Sequence, residues 1–181
     1  MSTDTLRAGE AVAVFPPIHK TVYVKAPPER AFRRFTDEIG SWWPLATHSV
    51  GQRDAESVIF ESWVGGRIVE RIRGGRESIW GTVTAWEPPR RIAFTWHPGH
   101  SATEAQDIEV RFTADGEGTR VDLEHRGFER LGKLAKRAHR GYPIGWDYVL
   151  GRYTERRDMY QLSLSTLTAV MFFLLRLFKK V

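Results

Sequence analysis

The stretch from Gly65 to Trp96 constrains the fold more than any other part of the chain. It reads Gly65-Gly66-Arg67-Ile68-Val69-Glu70-Arg71-Ile72-Arg73, a turn, then Trp80-Gly81-Thr82-Val83-Thr84-Ala85-Trp86-Glu87-Pro88-Pro89-Arg90-Arg91-Ile92-Ala93-Phe94-Thr95-Trp96. Three runs favour strands, and each is bounded by Gly or Pro. Gly65-Gly66 and Gly74-Gly75 supply positive φ at tight turns. Pro88-Pro89 cannot donate to a ladder and belongs between strands. Connections this short define an antiparallel meander. Its aromatic load predicts a sheet that wraps a helix, a ligand or both.

The flanking segments extend this pattern. Ile18–Lys25 reads as a first strand, with Val22 and Val24 on one face. Pro27-Pro28-Glu29 suits a helix N-terminus. Ala31, Phe32, Phe35 and Ile39 give a short amphipathic helix, with Gly40 as its C-cap. Ser41-Trp42-Trp43-Pro44-Leu45 follows, and one of the two tryptophans is expected in the core, the other at a cleft or rim. Ala55–Trp63 is a second strand. Asp107–Thr113 and Thr119–His125 alternate apolar and charged residues around the turn Asp115-Gly116-Glu117-Gly118. That alternation marks an antiparallel sheet with one wet face. Glu129–His139 is basic and polar, a short helix or a lid. A longer helix is expected from Gly141-Tyr142-Pro143 to about Tyr160. Tyr142, Trp146, Val149, Leu150 and Tyr153 form its aromatic face. The order is strand, one or two helices, six strands and a long C-terminal helix. That helix is the natural cover for the sheet's apolar face, and a cavity can remain between them.

These residues resemble the START/Bet v 1-like (SRPBCC) helix-grip superfamily, in the branch named after the activator of Hsp90 ATPase. The resemblance rests on Ala26-Pro27-Pro28-Glu29-Arg30-Ala31-Phe32, Trp42-Trp43-Pro44, Gly65-Gly66-Arg67, Trp80-Gly81-Thr82-Val83, Trp86-Glu87-Pro88-Pro89-Arg90-Arg91-Ile92, Glu109-Val110-Arg111-Phe112, Leu123-Glu124-His125-Arg126-Gly127 and Gly145-Trp146-Asp147. It covers about residues 18 to 155. It implies an α+β fold, a curved antiparallel sheet gripping the C-terminal helix around a hydrophobic cavity. It also implies a ligand class of lipids, hormones or polyketides. Some relatives are cyclases, aromatases or dehydratases, a few are self-sacrificing resistance proteins, and the branch name implies a chaperone partner. Function does not follow from such a fold alone.

Strand parity selects candidate site residues. Ile68, Glu70 and Ile72 share a face opposite Arg67, Arg71 and Arg73, and His125 lies on the face of Val121 and Leu123. Glu70 and His125 are thus expected inside, where each needs a partner or a ligand. Three roles stand open for them: satisfaction by backbone, water or tyrosine, contact with a ligand, or acid–base catalysis. His48 is placed either at the cavity mouth or in solvent. Trp42, Trp43, Trp63, Trp96, Tyr142, Trp146 and Tyr153 are the aromatic candidates for the cavity wall, with about half of the large aromatics expected to be packing alone. Trp80 and Trp86 oppose Ile79, Gly81 and Val83 in parity and are expected on the outer face, as a dimer or partner patch.

Bulk properties exclude several classes. No cysteine occurs among 181 residues, which removes disulfides, thiolate catalysis and Cys-ligated metal. Neither a phosphate loop nor a nucleophile elbow is present, and no cofactor is expected. His97-Pro98-Gly99-His100 lacks a third ligand, so no metal is expected. The net charge of +5 favours anions, but the arginines alternate with acids as on a solvated face, and no nucleic-acid module appears. Met1–Pro17 lacks a secretory pattern and reads as an arm. The helix-grip domain is expected over 18–160 and an apolar tail with a basic end over 161–181. That tail is a helix docked on the domain or a dimer mate, an interfacial membrane anchor, or a tail anchor. A cytoplasmic location is expected, with peripheral membrane contact through the tail as the alternative. Three functions compete: a binding protein for a hydrophobic or aromatic small molecule, a cyclase or dehydratase using Glu70 and His125, and a chaperone cofactor.

Overall fold

The computed structural model describes residues 14–154. The tail expected over 161–181 and most of the arm expected over 1–17 lie outside the described residues.

Seven strands build one antiparallel sheet: β1 Ile18–Val24, β2 Ala55–Phe60, β3 Arg67–Ile72, β4 Arg76–Glu87, β5 Arg91–Trp96, β6 Gln106–Asp115 and β7 Gly118–Arg126. Their spatial order is β1-β7-β6-β5-β4-β3-β2. Every sequential pair from β2 to β7 is a hairpin or short-loop neighbour, and β1 closes on β7 in the register Val22 opposite Val121. Between β1 and β2 lie α1 Pro28–Phe35, α2 Ile39–Trp42 and α3 Leu45–His48. A 3-10 turn, Phe128–Leu134, leads into α4, Ala135–Tyr153, which lies against the inner face. This is the expected α+β helix-grip arrangement.

Alternation places the core. Ile108, Val110 and Phe112 of β6 and Val121, Leu123 and His125 of β7 are buried, as their parity demands. The outward face carries ion pairs, across strands for Arg91–Glu109 at 2.9 Å and along β7 for Arg120–Asp122 at 2.9 Å. Trp146, Val149, Leu150 and Tyr153 of α4 are buried against the sheet. Lys20 of β1 donates to Asp147 of α4 at 2.6 Å, tying the helix to the sheet's free edge.

Several local expectations are corrected. The first helix ends at Phe35, and Gly40 lies inside α2 rather than capping α1. The second strand stops at Phe60, short of Trp63. The last helix begins at Ala135, not at Gly141, and carries Pro143 in its interior. Both tryptophans of the pair are buried, 2% exposed for Trp42 and 7% for Trp43. The chain turns from helix at Trp42 to extended backbone at Trp43, so two neighbours enter the core in different directions.

The largest correction concerns β4. Trp80 is fully buried and Trp86 packs against the core, so neither forms an outer patch. Ile68 pairs with Gly81 but Val69 pairs with Ile79, leaving Trp80 as an extra residue. A second shift falls between Val83 and Ala85. Each bulge reverses the phase of alternation. Trp80, Val83 and Trp86 therefore all turn inward at a spacing of three, while Ile79 is left 44% exposed.

Gly81 makes the first bulge sterically feasible. A Cβ there would lie 1.7 Å from the Thr95 carbonyl oxygen. Gly81→Ala should therefore lower stability by at least about 2 kcal/mol, read as a shifted urea midpoint. Gly145→Ala is the control, since a Cβ at Gly145 meets nothing within 4 Å. It should raise stability by about 0.5–1 kcal/mol, as helix propensity alone predicts.

Candidate functional site

Four tryptophans meet between sheet and helix. Trp43 follows α2, Trp80 sits on the β4 bulge, Trp96 ends β5 and Trp146 lies mid-way along α4. Ring centroids are 5.1 Å apart for Trp43–Trp80, 5.5 Å for Trp80–Trp96, 5.7 Å for Trp43–Trp96 and 6.0 Å for Trp96–Trp146. The planes are tilted or edge-on, as ring quadrupoles favour. Each indole N–H has a different acceptor. Trp43 donates to the His48 carbonyl at 3.0 Å, Trp80 to Glu70 at 2.9 Å, Trp96 to the Tyr142 hydroxyl at 3.2 Å and Trp146 to His125 Nδ1 at 3.1 Å.

Glu70 lies within this frame, fully buried. Its Oε2 accepts from the Val50 N–H at 2.9 Å and from Trp80 Nε1, and its Oε1 accepts from the Gly51 N–H at 2.8 Å. Three neutral N–H donors hold the carboxylate. Such charge-assisted bonds are among the strong ones. Glu70 thereby fastens the loop after α3 to β3 and β4. A Cβ at Gly51 would lie 3.0 Å from Glu70 Oε1 and 2.9 Å from Ile72, so the loop approaches this closely only with glycine there.

His125, from β7, is also fully buried. Its ring meets Tyr142 edge-on at 4.5 Å and Phe128 at 4.4 Å. Burial, reinforced by nearby His139, pushes its pKa down to about 3, so the ring is neutral. Nδ1 accepts from Trp146, and Nε2 has no hydrogen-bond partner. Burial also raises the Tyr142 hydroxyl to about 12, which keeps it protonated.

The other candidates fall elsewhere. Trp42 and Tyr153 pack with Phe35 at the α1 end, and Tyr153 donates to the Ala31 carbonyl at 2.8 Å. His48 stacks on Tyr148 at 5.0 Å, and burial lowers its pKa to about 4. It is therefore part of the α3–α4 contact rather than a freely solvated loop histidine. Trp63 is 56% exposed in the loop after β2, outside the aromatic group. His97 Nδ1 lies 3.2 Å from the His100 carbonyl. Among the described residues, no group of three His, Asp or Glu is placed to hold a metal ion, and no helix is long and apolar enough to cross a membrane. Trp80 and Tyr148 are the residues that parity reasoning missed. The signal for Trp80 was present, because glycine inside a strand marks a bulge or a close approach. None pointed to Tyr148.

Two predictions follow from the polar contacts. Glu70→Gln puts an amide N–H₂ against donors and removes the charge, so stability should fall by about 2–4 kcal/mol, read by urea unfolding with tryptophan emission as the probe. His125 gives a pH signature. The unfolded imidazole titrates near 6.5 and the folded one near 3. Between these values the unfolded state binds the extra proton. This contribution to stability is intact above about pH 6.5 and is lost as pH falls toward 3. His125→Gln keeps an acceptor for Trp146 and should flatten the slope of stability between pH 6 and 4 by up to about 1.4 kcal/mol per pH unit. An unchanged slope would place the imidazole in contact with water.

No curated protein matches the chain. The family model described as "Activator of Hsp90 ATPase homolog 1-like protein" matches residues 25–152. Among solved structures, an anthrahydroquino-gama-pyrone synthase, Txn09, complexed with SUM, is 34% identical. The match covers 78% of this chain and 97% of that one, with a TM-score of 0.58. CalC, a self-sacrificing resistance protein from Micromonospora echinospora, is 27% identical over 78% of this chain and 93% of that one, with a TM-score of 0.59. The Aha1 dimer from Colwellia psychrerythraea is 16% identical over 81% of this chain and 99% of that one, with a TM-score of 0.57, and shares the fold. The chain belongs to the activator of Hsp90 ATPase homolog 1-like family, within the helix-grip superfamily.

Proposed function

We propose that this protein binds a flat, mainly apolar aromatic small molecule between the inner face of the sheet and α4. The observation that carries the reading is the group Trp43, Trp80, Trp96 and Trp146. All four indole N–H groups are already bonded inside the protein. A ligand entering among them would meet ring faces rather than polar groups, which suits a polycyclic aromatic partner. Trp42, Tyr153 and His48 flank this surface, and Glu70 holds it in place. The activity of one relative supports the ligand class. Txn09 is a synthase of an anthrahydroquino-gama-pyrone.

A second reading, an enzyme of the cyclase or dehydratase kind, draws on the synthase at 34% identity. In that reading Glu70 and His125 do the chemistry. The contacts of Glu70 count against a role as base, because three N–H donors already occupy both of its oxygens. For a chaperone partner, the family name is the only support. A second copy of the chain as partner has the Aha1 dimer as its precedent, a relative that shares the fold.

Native mass spectrometry of the protein from its own source cells tests the binding reading. A small-molecule mass lost on denaturation is expected. Titration of the purified protein with three-ring aromatics should give saturable quenching of tryptophan emission. An empty protein that is also unresponsive to the titration would sink the reading.

A further inference from the structure

We infer that His125 and Tyr142 form a pair of hydrogen-bond donors that receives a carbonyl oxygen of the ligand. The inference rests on the binding reading above and specifies what the ligand must carry.

Its first ground is the identity of the His125 tautomer. An indole N–H is a donor and never an acceptor. Trp146 Nε1 lies 3.1 Å from His125 Nδ1, so Nδ1 is unprotonated. The proton of the neutral ring is on Nε2, and Nε2 is buried without a partner. His125 therefore presents an N–H, not a lone pair, and cannot act there as a base.

Tyr142 repeats the arrangement. Trp96 Nε1 donates onto its hydroxyl oxygen at 3.2 Å. The hydroxyl's own proton has no acceptor among the described residues. Tyr142 and Trp146 stand four residues apart on α4, on one face of the helix, and the Tyr142 and His125 rings are 4.5 Å apart at 84°. Two tryptophans thus donate to two neighbouring groups, filling the one acceptor site of the His125 ring, and each group keeps a donor of its own. Leaving a buried donor unpaired is unfavourable, and an oxygen with two lone pairs satisfies both. A ketone or quinone oxygen on an aromatic skeleton fits this requirement. Two fixed donors on one carbonyl oxygen would also polarise it and stabilise negative charge developing there.

Fluorene and fluorenone test this, since they share a skeleton and differ by one carbonyl. An apolar site prefers fluorene, the less polar of the two. The donor pair reverses that order, and fluorenone should bind about tenfold tighter by tryptophan quenching. The infrared carbonyl band of bound fluorenone should lie below its position in hexane. In Tyr142→Phe the band should move back toward the hexane position and the preference for fluorenone should shrink. Should that variant fail to fold, the band of the wild-type complex decides alone. Fluorene binding as tightly as fluorenone, or a band at the hexane position, would overturn the donor pair while leaving aromatic binding intact. Failure of both compounds to bind would overturn the aromatic reading together with the pair.

Discussion

The structure depends on one irregularity in one strand. At Trp80 the β3–β4 ladder gains a residue, and an indole that regular alternation would leave in water is turned into the core. Glycine next to it allows the Thr95 carbonyl to approach. The His97 N–H then bonds the Trp80 carbonyl at 2.6 Å. Burying a large indole stabilises by about 2–3 kcal/mol, but it also brings an N–H that needs an acceptor. Glu70 supplies one. Buried alone, a carboxylate would be strongly unfavourable. With Trp80, Val50 and Gly51 all donating, it becomes the joint between the sheet and the loop that follows α3. The bulge, the carboxylate and the loop are therefore interdependent.

That joint also fixes Trp43. Its indole N–H is bonded to His48, two residues before Val50. The loop pinned by Glu70 is thus the loop that orients Trp43 toward Trp80 and Trp96. His48 extends the chain of contacts to Tyr148 on α4. Sheet, loop and helix meet through polar bonds at the edges of an aromatic group. The rings supply area, and the N–H groups supply direction. A core made of aliphatic residues would be equally apolar but would set fewer of these orientations.

Much of this was legible in the sequence because periodicity carries it. Ile108, Val110 and Phe112, and then Val121, Leu123 and His125, alternate without interruption, and the structure follows them residue by residue. The inward positions of Glu70 and His125 came from the same rule. Parity failed at Trp80 and Trp86 because two bulges reset the phase, the first leaving Gly81 as its trace and the second, at Thr84, leaving none. The pairing of helix and strand groups was not legible at all. That Trp146 would meet His125, or Tyr148 meet His48, depends on how α4 crosses the sheet, which no local pattern encodes. Trp63 shows the opposite limit. Its type argued for the interior, but it stands beyond the end of β2, where no strand directs it inward.

The two buried titratable groups found by parity differ in what they have left to offer. Glu70 accepts from three donors, so its role is to hold the aromatic frame. His125 receives one donor and keeps a proton of its own, beside a tyrosine in the same condition. Capacity for a ligand's polar group lies at the β7–α4 side of the interior, not at β3. A ligand that filled the aromatic group would then be positioned by its oxygen against α4 and by its rings against β4 and β5. Under this division, changes at Glu70 act on whether the site exists, and changes at His125 and Tyr142 act on what it selects. Selection by an unsatisfied donor also works by exclusion. A ligand without an acceptor at that point would leave the buried His125 N–H unpaired, and the loss would fall on the wrong ligand rather than on the fold.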